Sequence, residues 1–102
     1  MSRLWPDLQR AYDEYNQLYF GGKLSHDILV KWVRLPRRLM GQADLEGIDI
    51  NLNLRGTSCL WRFTLLHEMS HIATYTEIEE HGPMWQAEMH RLANIGAFEK
   101  VW

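Results

Sequence analysis

The sequence predicts an α+β fold in which one helix precedes three strands and two further helices follow. Three observations support this order. Apolar residues recur at helical spacing near the start, alternate with polar residues between positions 47 and 54, and return to helical spacing after position 57. With 102 residues, the chain is expected to form one domain over residues 1–102.

The composition is that of a globular protein, with 46% hydrophobic and 24% charged residues. The net charge of −2 provides no general attraction to nucleic acid or to a membrane. Cys59 is the only cysteine, which excludes an internal disulfide and a cysteine-based zinc ribbon. The start, Met1–Pro6, does not resemble a secretion signal, and no apolar run approaches the ~18 residues that span a bilayer. We therefore expect a monomeric cytoplasmic protein with no membrane contact, or a nuclear one if the source is eukaryotic.

The first helix is predicted to run from Pro6 to Tyr19, because Pro6 suits a first helical turn and Asp7 favours the positive end of the helix dipole. Gly21 and Gly22 are expected to end it. Its apolar stripe consists of Leu8, Ala11, Tyr12, Tyr15, Leu18 and Tyr19.

Three strands are predicted next. The first is Ile28–Val33, rich in β-branched and aromatic residues, and a basic loop around Pro36 ends it. The segments Leu39–Asp44 and Gly47–Leu54 are predicted to form a hairpin. The second arm has one apolar face and one solvent-exposed face. The apolar face would carry Ile48, Ile50, Leu52 and Leu54, and the exposed face Asp49, Asn51 and Asn53.

The second helix follows Arg55-Gly56, with Thr57 or Ser58 as its N-cap. A third helix is expected from Pro83 to about Asn94. The last residues, Ala97–Trp102, form too brief a pattern to assign.

The second helix carries His67-Glu68-Met69-Ser70-His71, an H-E-x-x-H pattern. Residues four apart lie on one helical face, so His67 and His71 can bind the same metal ion. Glu68 lies beside them and can accept a proton from water activated by the metal. The alternative, an exposed helix carrying these residues by coincidence, is disfavoured by the apolar spacing that continues through the motif.

A catalytic zinc usually has three protein ligands and one open position. His81 is the leading candidate for the third ligand, because Gly82-Pro83 predicts a turn that leads into the next helix. Glu88 is the rival candidate. We interpret Glu77, Glu79 and Glu80 as a solvated acidic loop, and Tyr75 as a packed residue at the end of a helix rather than a hydrogen-bond donor to the reaction.

These residues resemble the SprT-like metallopeptidase domain family, which includes proteins of the Spartan type. Its pattern joins H-E-x-x-H to H-G-x-x-W after a short spacer, here His81-Gly82-Pro83-Met84-Trp85. The family's N-x-x-x-F-x-G-x-L opening is similar to Asn16, Phe20, Gly22 and Leu24, so the resemblance extends from about Leu8 to Leu92. It implies a minimal zincin-like fold and one Zn²⁺ bound by His67, His71 and His81. It also implies that Glu68 is the general base of a zinc endopeptidase.

The resemblance also suggests how substrate and DNA bind. In related zinc peptidases an exposed edge strand pairs with the substrate backbone; here that strand is predicted to be Gly47–Leu54, with Asp49, Asn51 and Asn53 facing the peptide. Proteins of the Spartan type cleave proteins crosslinked to DNA and are switched on by DNA. The residues that would contact single-stranded DNA are Lys31, Trp32, Arg34, Arg37 and Arg38, although an ordinary charged loop with Trp32 in the core is the alternative.

Three classes of function follow from these observations. The first is a zinc endopeptidase that acts on proteins, including proteins bound to DNA. The second is a zinc-stabilised protein- or DNA-binding module without turnover, which the presence of Glu68 argues against because a structural zinc needs no base. The third is a small nucleic-acid-binding protein with an incidental metal, which the net charge disfavours.

Overall fold

The computed structural model describes residues 5–99. Within them the elements are α1 (Leu8–Tyr19), β1 (Leu29–Val33), β2 (Gly41–Ala43), β3 (Gly47–Asn51), α2 (Ser58–Ala73) and α3 (Pro83–Asn94). This order confirms the predicted α+β class. The residues before Trp5 and after Glu99, which belong to the predicted start and tail segments, lie outside the described residues. In the described part of the chain, no helix is long and apolar enough to cross a membrane.

Helix α1 begins two residues later than predicted. Asp7 is its N-cap, and the Asp7 carboxylate accepts a hydrogen bond from the Arg10 amide at 3.1 Å. Leu18, which the spacing placed on the apolar face, is 67% exposed. Around it the buried residues are Tyr15, Asn16 and Phe20, so Leu18 is the position of the predicted apolar stripe that the core leaves uncovered.

The end of α1 is joined to the following loop by a buried amide. Asn16 Nδ2 donates to the Leu24 carbonyl at 3.0 Å, and Asn16 Oδ1 accepts from the Leu24 amide at 3.1 Å. The chain between them reverses through Gly21 and Gly22, whose φ angles of 62° and 72° favour glycine. This arrangement gives a physical reason for an asparagine at position 16 and for glycines in the turn that follows.

The sheet has the strand order β1-β3-β2. Strand β3 pairs in parallel with β1 and in antiparallel with β2, so both of its edges are occupied. The prediction that Gly47–Leu54 forms an edge strand is therefore wrong. The strand also ends at Asn51, because Leu52–Leu54 forms a short 3-10 turn.

The polar residues of β3 take part in the fold itself. The Asn51 side chain is buried, and its Nδ2 donates to the Leu39 carbonyl at 2.8 Å. The Asp49 carboxylate accepts from Gln42 Nε2 at 2.9 Å. Asn53 lies in the turn after the strand. The basis for assigning Asp49, Asn51 and Asn53 to substrate binding is thereby removed.

Helix α2 lies between the sheet and α3, and both sides of it are covered. Its buried side chains include Trp61, Leu65, Leu66, Met69 and Ile72. Trp32 of β1 meets the Trp61 ring edge-on at 6.1 Å, and Trp32 Nε1 donates to the Pro6 carbonyl at 3.1 Å. Trp32 therefore contributes to the core, as the alternative interpretation proposed.

We expect Asn16→Ala to destabilise the protein by about 1–3 kcal/mol, because it leaves the amide and carbonyl of Leu24 buried without their partners. The free energy of unfolding from urea denaturation checks this. Asp13→Ala, an exposed change on the same helix, should have a much smaller effect. Equal stability of the Asn16→Ala variant and the wild type would show that this amide does not hold the loop.

Candidate metal centre

Three histidine side chains converge beside α2. His67 and His71 lie one helical turn apart on α2, and His81 reaches them from the loop before α3. The potential ligand atoms of all three lie within 4.8 Å of one another. The Nε2 atoms of His67 and His81 are 3.2 Å apart. The structure thus brings together the three residues that the sequence predicted as ligands, and these residues can hold a metal ion.

His81 is directed towards α2 by an unusual backbone conformation. Its φ angle is 58°, in the left-handed region that few residues other than glycine adopt. The next residue, Gly82, has no room for a side chain, since an added Cβ would lie 2.8 Å from Glu77 Cδ and 3.0 Å from the Glu79 carbonyl oxygen. Gln86 Nε2 donates to the His81 carbonyl at 2.9 Å. Such strain is found where the surrounding structure fixes a functional side chain.

Glu77 holds this loop against α3, so its interpretation as part of a solvated acidic loop is wrong. The Glu77 carboxylate accepts hydrogen bonds from the Met84 amide at 2.7 Å and the Trp85 amide at 2.9 Å. These amides belong to the first turn of α3, where a carboxylate also interacts favourably with the helix dipole. Glu79 and Glu80 are exposed, as predicted. Glu77 lies six residues before Pro83, outside the local capping spacing, so the sequence carried no signal for this interaction.

Trp85 forms one wall of the histidine cluster. Its ring stacks on His71 with centroids 5.5 Å apart and planes 22° apart, and it lies 4.4 Å from the His81 ring. Trp85 is the last residue of the H-G-x-x-W pattern. Its packing restricts the orientations of the imidazoles, which is the physical reason for an aromatic residue at this position.

Two histidines of the cluster, His67 and His71, have lowered pKa values. Burial lowers the pKa of His67 to about 4, and the neighbouring His71 and His81 contribute in the same direction. Burial also lowers the pKa of His71. At neutral pH both rings are therefore uncharged, and only an uncharged imidazole has a lone pair available for a metal.

Glu68 is buried next to this cluster, with 6% of its surface exposed. Its Oε2 lies 4.0 Å from His67 Nε2. Burial raises the pKa of Glu68 to about 7, and the nearby Glu80 adds to the effect. The Glu68 carboxyl can therefore take up and release a proton near neutral pH.

The backbone of β2 lies directly against Glu68 because residue 41 is glycine. A Cβ added to Gly41 would lie 2.8 Å from Thr64 Cγ2 and 3.4 Å from Glu68 Oε2. Any side chain here would push the strand away from α2. Gly41 is a site residue that the sequence reasoning missed, because an isolated glycine in a short strand has many possible causes.

Two further residues from the sequence analysis, Glu88 and Tyr75, have surroundings that bear on their proposed roles. Glu88, the rival third ligand, is ion-paired with Arg91, whose Nε lies 3.0 Å from Glu88 Oε1. It is not part of the histidine cluster. Tyr75 is 64% exposed, so its interpretation as a packed residue is wrong.

A cavity of about 740 Å³ opens over the cluster. One wall is the segment Arg38–Leu45, which contains β2, and the other runs from Thr74 to His81. The predicted DNA-contacting residues Lys31, Arg34, Arg37 and Arg38 are all exposed, and Arg38 lines the cavity. The site is therefore open to a large ligand.

One known protein matches most of this chain in sequence, and one solved structure matches most of it in fold. The human DNA-dependent metalloprotease SPRTN is 29% identical over 103 residues, an alignment that covers 88% of this chain and 21% of that protein. The chain thus matches about a fifth of its human relative. A crystal structure of the metallopeptidase zymogen jannalysin from Methanocaldococcus jannaschii has a TM-score of 0.56 at 18% identity, covering 87% of this chain and 81% of that one. This likeness supports the zincin-like fold.

The match to a protein family covers most of the sequence. The model of the SprT-like family aligns with residues 8–100. This range includes the Asn16 loop, the H-E-x-x-H helix and the His81 turn, the three features that the sequence patterns marked. On this evidence the chain belongs to the SprT-like family.

Proposed function

We propose that this protein is a zinc-dependent endopeptidase. In this proposal His67, His71 and His81 hold one zinc ion and Glu68 is the general base. The observation that carries the proposal is the convergence of three imidazoles and one buried carboxyl at an open cavity. The metalloprotease activity named for the human relative supports it.

The residues fit a zinc ion. Three histidines with a fourth position free is the usual donor set of a catalytic zinc, whereas structural sites fill all four positions. Two nitrogens bound to the same tetrahedral zinc lie about 3.3 Å apart, and the His67 and His81 nitrogens are 3.2 Å apart. The neutral state of His67 and His71 is the state that ligation requires.

The protein's own residues supply the remaining chemistry. A bound zinc would act as a Lewis acid that polarises a peptide carbonyl and makes water more acidic. Glu68 would accept a proton from the attacking water and deliver it to the leaving amine. Because Glu68 is buried beneath Gly41, it reaches water only from the side of the cavity.

The open edge of β2 is the strand position available to a substrate. One edge of β2 pairs with β3, and within the described residues no strand pairs with the other. The strand lines the cavity and its backbone lies against Glu68. A peptide that hydrogen-bonds to this edge would be recognised mainly through its backbone, which tolerates many sequences. This role replaces the one that the sequence assigned to Gly47–Leu54.

We further infer that the protein substrates include proteins bound or crosslinked to DNA, and that single-stranded DNA binds at Lys31, Arg34, Arg37 and Arg38. The name of the human relative as a DNA-dependent metalloprotease supports this proposal. The four side chains are exposed, and Arg38 connects the basic segment to the cavity. Trp32 is left out of the proposed interface because its ring packs against Trp61.

The first prediction from this proposed function concerns metal binding. The purified protein should bind one zinc ion, and His67→Ala, His71→Ala and His81→Ala should each weaken binding by about 100-fold or more, since each removes a ligand. Metal analysis after dialysis against a weak chelator measures this. His90→Ala, an exposed histidine change on α3, and Glu88→Ala should retain the zinc. Retention in His81→Ala together with loss in Glu88→Ala would transfer the third ligand to Glu88.

The second prediction concerns the base. Glu68→Gln should keep the fold and the zinc but lower kcat for an unfolded protein substrate by about 10²–10⁴-fold, because an amide cannot accept the proton. Glu79→Gln, an exposed change in the same cavity, should leave kcat nearly unchanged. Wild-type turnover by a zinc-loaded Glu68→Gln variant would remove Glu68 from the mechanism.

The third prediction concerns DNA. Binding of single-stranded DNA should be weak and salt-sensitive, and DNA should raise proteolysis. Replacing Arg34, Arg37 and Arg38 by alanine should flatten the log–log salt dependence by about 0.7 for each phosphate that the variant no longer neutralises. Arg10→Ala on α1 controls for the removal of a surface charge. Equal DNA binding by the triple variant and the wild type, or proteolysis indifferent to DNA, would contradict the DNA part of the proposal.

A further inference from the structure

A second cavity adjoins the candidate active site. It has a volume of about 640 Å³ and shares three lining residues, Leu45, Ile72 and Tyr75, with the first cavity. Leu45 and Tyr75 are 58% and 64% exposed, so two large side chains present apolar surface between the same two cavities. We call Leu45, Ile72 and Tyr75 the ridge.

The walls of the second cavity are partly apolar and partly polar, since Lys23, Ser25, Glu88 and Arg91 also line it. They include Phe20, Leu24 and Ile28 from the segment between α1 and β1, and Ala73 from α2. The charge of Arg91 is compensated by its ion pair with Glu88, and its guanidinium lies over the Phe20 ring at 5.3 Å. Glu88 offsets the charge of Arg91, so a large apolar side chain would bind against the apolar and aromatic part of the lining.

The open edge of β2 leads from Glu68 towards the ridge. At the start of the strand, Gly41 lies against Thr64 and Glu68 of α2. Further along, Leu45 lines both cavities together with Ile72 and Tyr75, at the end of α2 and just beyond it. The β2 segment and α2 therefore run in the same direction. The extended part of this path is short, because β2 comprises only Gly41–Ala43 and Leu45 lies in the turn between β2 and β3.

We propose that the second cavity is a substrate subsite, which binds a large apolar side chain of an extended polypeptide that lies along β2 and crosses the ridge. The ridge supplies the apolar surface between the two cavities, and Phe20, Leu24 and Ile28 receive the side chain. This inference rests on the proposed peptidase function and adds a substrate class to it. The preferred substrates are unfolded segments with an aliphatic or aromatic residue at one fixed position relative to the cleaved bond, on one side only.

The energetic reason is the burial of apolar surface that is exposed in the free protein. Leu45 and Tyr75 together present a surface on which a crossing apolar side chain loses water. Backbone pairing along β2 contributes affinity for any sequence, whereas the second cavity contributes discrimination between side chains. A segment that is folded in the substrate cannot extend across both cavities.

The test uses a mixture of unstructured peptides that is randomised over ten positions. Cleavage by the zinc-loaded protein, read by sequencing the products, should show large apolar residues enriched at one fixed position on one side of the cut. In Leu45→Ser and Tyr75→Ser this enrichment should fall to near background. Leu18→Ser should retain it, because Leu18 is a similarly exposed leucine that lines neither cavity.

A measurement of peptide binding tests the proposed subsite without requiring hydrolysis. The Glu68→Gln variant should bind a fluorescent peptide with an apolar residue at the selected position about tenfold more tightly than one with serine there, and Leu45→Ser in that background should abolish the difference. The fold should survive this change, because Asp44 holds the turn by accepting from the Glu46 and Gly47 amides at 2.8 and 2.9 Å. Circular dichroism of each variant verifies the fold.

The possible outcomes distinguish the two proposals. Hydrolysis without apolar enrichment, or enrichment that persists in both ridge variants, would overturn the subsite and leave the peptidase proposal standing. Ridge-dependent binding without any hydrolysis by the wild type would support the subsite and overturn the peptidase proposal. Neither binding nor hydrolysis would overturn both.

Discussion

The site depends on bringing a third imidazole to two that a helix already presents. His67 and His71 are aligned by the periodicity of α2 alone. His81 belongs to a different element, and its ring reaches the pair only because its backbone is left-handed and Gly82 packs tightly against Glu77. The Glu77 carboxylate in turn caps α3. Hydrogen bonds and close packing therefore connect the start of α3, through this loop, to the histidine cluster.

A second constraint sets the environment of the carboxyl beside the cluster. Glu68 has a pKa near 7 because it is buried, and it is buried because β2 can approach α2 at Gly41. That approach depends on the sheet, in which β3 holds the central position and leaves β2 at the edge. The strand order thus leaves one edge of β2 unpaired within the described residues, and β2 lies against the buried Glu68 carboxyl.

Sequence patterns predicted the parts of the structure that depend on local periodicity. The helix containing His67 and His71, the helix starting at Pro83 and the α+β class all follow from spacing and from residues that begin or end elements. Alternation at positions 48–51 predicted a strand but not its neighbours, because the parallel pairing with β1 is a long-range interaction. The same alternation misplaced Asn51, whose amide is buried against three carbonyls of a loop more than ten residues away in the chain. The roles of Glu77 and Gly41 were not predicted for the same reason. Their interactions link elements that the sequence does not show to be adjacent.

The arrangement of nearby carboxylates explains how the cluster keeps a coordination position free. Several acidic residues lie close to the histidines in sequence, and a carboxylate that reached the metal would close the fourth position. Glu77 is instead held by two amides of α3, and Glu88 by Arg91. Glu68 lies 4.0 Å from the nearest histidine nitrogen, beneath the backbone of β2. Each of these carboxylates has its own partner or packing environment, so in the proposed zinc site the three imidazoles would form the donor set and the side facing the cavity would stay open. This openness is the property that distinguishes a catalytic zinc site from a structural one.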